Sequence, residues 1–155
     1  MEAEYIDAMR EHFATLAEEL ELLHQAAMQQ QGLNALLHRA AERNLQLLTE
    51  GCIGIAKQRL KSLGIVVPSD ARKAFEKLRS LGHDTSSIPW NKVVGLRNAL
   101  VHDYLNLDDT IVEGIIHRRE YQQLLDFAEA QIGDPPQLEP SDDSFSSSPP
   151  ADSSS

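Results

Sequence analysis

An all-α bundle is the fold this sequence predicts, and three observations predict it. Long stretches are rich in Ala, Leu, Glu and Gln, residues that lose little freedom on entering a helix. Aromatic residues make up only 5% of the chain, few for a β-sandwich. Apolar residues recur at spacings of three and four rather than two. A length of 155 residues suits one domain with its own core. The expectation is an up-and-down bundle of about five helices over residues 1–133, followed by a disordered acidic tail rich in Ser, Pro and Asp over 134–155.

The first helix carries Ile6, Met9, Phe13, Leu16, Leu20, Leu23 and Ala27 on one stripe, with Glu and Gln elsewhere. Such a stripe must pack on a neighbour; core and dimer surface both fit. Gly32 and Asn34 suit the following junction. A second helix, from about Asn34 to about Leu63, has the broad apolar face of a central element: Leu37, Ala41, Leu45, Leu48, Cys52, Ile55 and Ala56. Gly51 and Gly54 lie inside it, each costing about 1 kcal/mol against alanine unless another helix approaches closely. Gly64 ends that helix, and Ser69 is placed to cap a short one running to Leu81. Residues 82–87 read as a polar connection. Pro89 then suits the first helical position of a fourth helix, anchored by Trp90 and ending near Leu105. Asp108 or Asp109 caps a fifth, whose inner face is Ile111, Ile115, Tyr121, Leu124, Leu125, Ala128 and Ile132. Beyond residue 133 the composition cannot bury enough surface to offset its ordering entropy.

The net charge of −10 is unevenly spread. Residues 1–43 hold eight acidic and three basic side chains, and 134–155 hold five acidic and none basic, so 44–133 is neutral overall. Within it, Lys57, Arg59, Lys61, Arg72, Lys73, Lys77 and Arg79 face only Asp70 and Glu76 over 57–79. Attraction for a polyanion is therefore local. Cys52 is the single cysteine, which excludes an intrachain disulfide and a cysteine-based metal cluster. No apolar run approaches the length of a membrane span, and the acidic MEAEYID start has no basic signal region. A cytoplasmic protein without membrane association is the simplest fit.

The chemistry concentrates in RNALVHDY, residues 97–104. On a continuous helix Arg97 and Tyr104 fall about 20° apart, Asn98 and His102 form an i,i+4 pair, and all four fit within about 160° of surface. Cleaving RNA without a metal requires activation of the 2′-OH, protonation of the leaving 5′-oxygen and stabilisation of charge on phosphorus. A histidine can move the proton, and arginine can hold two phosphoryl oxygens at once. Asn98 could fix the His102 tautomer or touch the phosphate. One chain supplies one such histidine, so two proton-transfer roles need a dimer or a second group. Read singly, His102 also fits a hydrogen-bonded core histidine, Arg97 a partner of Asp103, and Tyr104 a buried hydroxyl. The other histidines (His12, His24, His38, His83 and His117) are scattered and expected to be exposed. None makes an HxxxH or HExxH spacing, and no Walker or dinucleotide loop occurs, so neither metal nor cofactor is expected. Glu42 and Glu50 could reach the motif helix, although ordinary salt bridges explain them better.

The spacing Arg97, four residues, His102, one residue, Tyr104 resembles the R-x4-H-x-Y pattern of the HepT branch of the HEPN superfamily. The stretches ERNLQLLTEGCIGIA, VGLRNALVHDYLNLDD and LLDFAEAQI each resemble the corresponding helix of that branch, so the likeness covers residues 1–132. The resemblance implies a HEPN-like homodimer whose cleft collects Arg and His from both subunits. It implies a toxin of a toxin–antitoxin pair that acts as a metal-independent endoribonuclease on tRNA or mRNA, leaving a 2′,3′-cyclic phosphate. Arg97 and His102 would be catalytic and Asn98 supporting. The implied partner is an MNT-type nucleotidyltransferase antitoxin that adds AMP to Tyr104, and the implied alternative is a non-catalytic helical dimer serving as a scaffold and substrate for that partner.

Overall fold

The computed structural model describes residues 1–30 and 32–132, and every regular element among them is helical. The order is α1 (Ala3–Gln30), α2 (Ala35–Ser62), α3 (Ala71–Ser80), α4 (Trp90–His102), a 3-10 turn (Tyr104–Asn106), α5 (Asp109–His117) and α6 (Gln122–Ile132). The expected tail and its boundary at 133 lie outside the described residues. No described helix is long and apolar enough to cross a membrane.

α2 is the central helix, as its broad apolar face requires, and packs against all five others. Ala41, Leu48, Cys52, Ile55, Ala56 and Leu60 have no exposed surface. The α1 stripe resolves as core over most of its length: Phe13, Leu16, Leu20, Leu23 and Ala27 are buried, while Ile6 and Met9 are partly covered. Where α1 crosses α2, a Cβ on Gly51 would lie 2.8 Å from Phe13 Cζ, so only glycine permits that approach. Gly54 has no such constraint, its nearest neighbour being Tyr5 Oη at 3.8 Å.

The junctions follow local chemistry, with small shifts from expectation. Asn34 caps α2 through a 2.8 Å bond from Leu37 N–H. Gly64 follows the α2 end at φ 77°. Asp70, rather than Ser69, caps α3, accepting from Arg72 N–H at 2.8 Å; the carboxylate is the stronger acceptor for an orphan helix donor. Pro89 stands one position ahead of α4, as its cap rather than its first residue.

The fifth helix departs most from expectation. It divides into α5 and α6 at a turn where Arg119 adopts φ 53°. Residues 117–120 are all polar, and Arg119 bonds Glu21 of α1 through two nitrogens, at 3.1 and 2.7 Å. The break re-phases the inner face. Val112 and Ile116 are fully buried, whereas Ile111 is 47% exposed. Tyr121, Leu124, Ala128 and Ile132 are buried as expected.

Candidate active site on the fourth helix

α4 is positioned from its first residue. Trp90 stacks on Phe75 of α3, with ring centroids 3.7 Å apart, and meets Phe127 of α6 edge-on at 4.8 Å. Its indole N–H donates to Asp84 Oδ2 at 2.8 Å. The connection expected to be merely polar therefore supplies a buried anchor. Asp84 also accepts from the Ser86 hydroxyl and backbone N–H and pairs with Arg79 at 2.9 Å. Burial alone would push the Asp84 carboxyl up, but the bonds from Ser86 and Trp90 and the charge of Arg79 together hold it below the usual carboxylate range. These contacts replace the side-chain cap that α4 lacks.

From that anchor α4 packs on α2 and α3 and buries Val93, Val94 and Leu100. Arg97 falls among these positions on the helical wheel and is half-buried. Its Nε donates to Asn98 Oδ1 at 2.9 Å. Arg97 and His102 are about 140° apart around a helix, with Asn98 between them. The bond to Asn98 thus draws the guanidinium from the packed flank towards the side that ends in exposed His102. Asn98 was expected beside His102; it serves Arg97 instead, because an adjacent charged donor makes the stronger bond.

α4 ends three residues earlier than expected, at His102. Asp103 leaves the helical region at φ −146°, its carbonyl accepts Asn106 N–H at 3.0 Å, and its carboxylate accepts Asn106 Nδ2 at 2.7 Å. A short polar side chain that offers the backbone an alternative partner ends the helix there. Tyr104 therefore lies in a 3-10 turn and does not share the Arg97 helix face. Its side chain is outside what is described. Neighbouring Asp103, Leu105 and Asn106 are exposed. Asp103, engaged with Asn106, is not the partner of Arg97.

The turn borders an open cleft of about 860 Å³, lined by Leu33, His38, Glu42, Leu105 and Asp109 among others. Within it His38 Nδ1 faces Glu42 at 3.5 Å and His38 Nε2 faces Asp109 at 3.5 Å. Contrary to expectation, His38 and His24 are buried, and His24 Nδ1 meets the Ile116 carbonyl at 3.0 Å. His38, Glu42 and Asp109 offer ligand atoms within 4.8 Å of one another. Glu42 thus faces His38 within its own helix, and Glu50 accepts from the neutral amide of Gln46 at 3.3 Å rather than from a cation.

A family model described as "Ribonuclease HepT-like" matches residues 4–131. The chain belongs to that family. It is similar to the mRNA nuclease HepT of Shewanella oneidensis, being 34% identical over 92 residues, which are 57% of this chain and 69% of that protein. Its fold matches a solved tri-AMPylated Shewanella oneidensis HEPN toxin in complex with an MNT antitoxin, with TM-score 0.68 and 26% identity over 84% of this chain and 99% of that one. A toxin–antitoxin crystal structure with AMP-PNP matches with TM-score 0.67 and 25% identity, over 82% and 98% of the two chains. The family expectation drawn from R-x4-H-x-Y and its flanking helices is met. What the sequence did not reveal for this HepT-like chain is the Asp84 anchor and the His38 cluster. The latter joins residues 71 positions apart, and no spacing within one element announces it.

Proposed function

We propose that the protein is the toxin of a toxin–antitoxin pair, a metal-independent endoribonuclease acting through Arg97 and His102 in a homodimer cleft. The observation that carries this is the Arg97–Asn98 bond, which turns a half-buried guanidinium towards the face closed by exposed His102. A phosphodiester lying there meets a permanent cation and a group able to move a proton near neutral pH. His102 takes the 2′-OH proton or gives one to the leaving 5′-oxygen, and a second chain's histidine does the other. The product is a 2′,3′-cyclic phosphate. The substrate is RNA, mRNA or tRNA; the mRNA nuclease name of the Shewanella relative supports mRNA.

The partner is a nucleotidyltransferase of MNT type that adds AMP to Tyr104. The AMPylated state and MNT partner of the structural relative support this, as does the exposed turn that carries Tyr104. A tyrosine in a short turn can be offered to another enzyme's active site without unwinding α4. Added phosphate two residues from His102 competes for the cationic charge that RNA needs, and the nucleotide obstructs the face.

The test is incubation of the full chain with RNA in EDTA, comparing wild type, His102→Ala and Arg97→Ala. Wild type is expected to cut, and His102→Ala to lose at least ~10²-fold in rate. Cleavage by none of the three supports the non-catalytic scaffold; equal cleavage by all three places the chemistry elsewhere.

A further inference from the structure

Three of the seven basic residues of segment 57–79 are engaged by the fold. Lys57 Nζ donates to the Ser69 carbonyl, Arg59 binds the Gln131 carbonyl, and Arg79 holds Asp84 and the Ile88 carbonyl. Arg72 is different. Half-buried near the start of α3, it reaches across to the motif helix, where Nη2 donates to the Asn91 carbonyl at 3.4 Å. The same nitrogen would lie 3.7 Å from a Cβ built on Gly95, with no other neighbour within 4 Å.

Asn91, Gly95, Asn98 and His102 follow one another at spacings of four, three and four, and so lie within about 60° of one α4 face. Arg72 thus stands at one end of a stripe whose other end is His102. Gly95, without a side chain, leaves the surface beside the guanidinium low. Gly95 to His102 spans roughly 10 Å along the axis, the reach of a short length of extended single strand. Arg97 lies about 100° round the helix from Asn98, the near edge of the stripe, and is tied to it through its Nε bond to the Asn98 amide oxygen.

Resting on the reading of this protein as RNA-binding, we propose that Arg72 is a substrate-binding residue. It holds an RNA backbone phosphate upstream of the scissile bond, so that the strand runs along Asn91, Gly95 and Asn98 to His102. A weak bond to one carbonyl leaves most of a guanidinium's donors for phosphoryl oxygens. The stripe explains how a chain of net charge −10 can take a polyanion: attraction is confined to one path.

The experiment measures binding of a labelled single-stranded RNA by the full-length His102→Ala chain, which leaves the RNA intact, at a series of salt concentrations. Adding Arg72→Gln is expected to weaken binding about 5- to 10-fold and to reduce the log–log salt slope by about 0.7, one phosphate contact fewer. Arg72→Lys should restore most of the slope. Gly95→Glu, whose Cβ meets nothing closer than 3.7 Å, should weaken binding similarly by placing a carboxylate on the path. Exposed Lys61→Gln should change neither quantity. An unchanged slope in Arg72→Gln overturns the proposal, whether affinity holds or falls together with melting temperature. Binding that depends on Arg72 in a protein that never cuts RNA upholds this proposal and overturns the nuclease reading. Absence of RNA binding by the parent overturns both.

Discussion

Two glycines three residues apart show how much a single Cβ decides. Gly51 and Gly54 have the same helical environment by sequence, and alanine at either should gain up to ~1 kcal/mol of helix propensity. At position 51 the added carbon would lie 2.8 Å from the ring of Phe13, itself buried to 6% exposure and unable to retreat. Gly51→Ala is therefore expected to lose about 1–3 kcal/mol through overpacking. Gly54→Ala, with only the Tyr5 hydroxyl at 3.8 Å, should be neutral or stabilising. Urea midpoints of the two variants check this, and equal shifts would contradict the close approach of α1 to α2. At the functional end of the molecule the comparable detail is one hydrogen bond. Arg97 takes its direction from Asn98, so the two adjacent residues act as a unit. Asn98→Ala should slow RNA cleavage while leaving stability near wild type, because removal of a half-exposed amide costs the fold little; single-turnover rates and melting temperatures measure the two separately.

Among the elements, α4 is the one whose placement matters for chemistry, and it is held by groups outside itself. Asp84, buried to 5% exposure, collects Trp90, Ser86 and Arg79. Its carboxyl is held below the usual value, so it binds fewer protons folded than unfolded. The stabilisation it supplies is therefore present above the ordinary aspartate value of about 3.9 and is lost as pH falls through the lower folded value. Thermal melts between about pH 6 and pH 3 should show Asp84→Asn less stable at the upper end, by roughly 2 kcal/mol, with a smaller loss on acidification. Parallel melting curves for the variant and wild type would argue against this anchor. At the other end of α4, Asp103 stops the helix and moves Tyr104 into a turn. The stop separates the two jobs proposed for the motif: the helix carries Arg97 and His102, and an exposed turn carries the residue proposed for modification.

On the scale of the whole molecule, α4 packs mainly on α2 and α3, with Trp90 reaching Phe127 of α6, and its outer positions Asn91, Lys92, Val101 and His102 are exposed. One chain brings one His102. If the cleft is shared and takes a histidine from each copy, a mixed dimer of one wild-type and one His102→Ala chain should lose cleavage as fully as the His102→Ala homodimer. Cleavage assays on the purified heterodimer read this out; half of the wild-type rate would show that each subunit holds a complete site.

The helical class, the central role of α2, the apolar stripe of α1 and the R-x4-H-x-Y motif were all legible in the sequence, though not whether that stripe is core or a dimer surface. Each rests on periodicity or on spacing within one segment, which local backbone geometry converts directly into a face. The split between α5 and α6 was not legible, because it depends on Arg119 reaching Glu21 on a helix nearly a hundred residues earlier. Nor were the Asp84 anchor, the His38 cluster or the contact of Arg72 with α4, each of which joins separate segments. The sequence by itself determined which residues could do the chemistry. Only the tertiary structure decided their company across elements, fixing the start of α4 through Asp84 and bringing Arg72 onto the stripe that ends at His102. Side-chain partners across elements are chosen by packing, and no local pattern along the chain encodes packing.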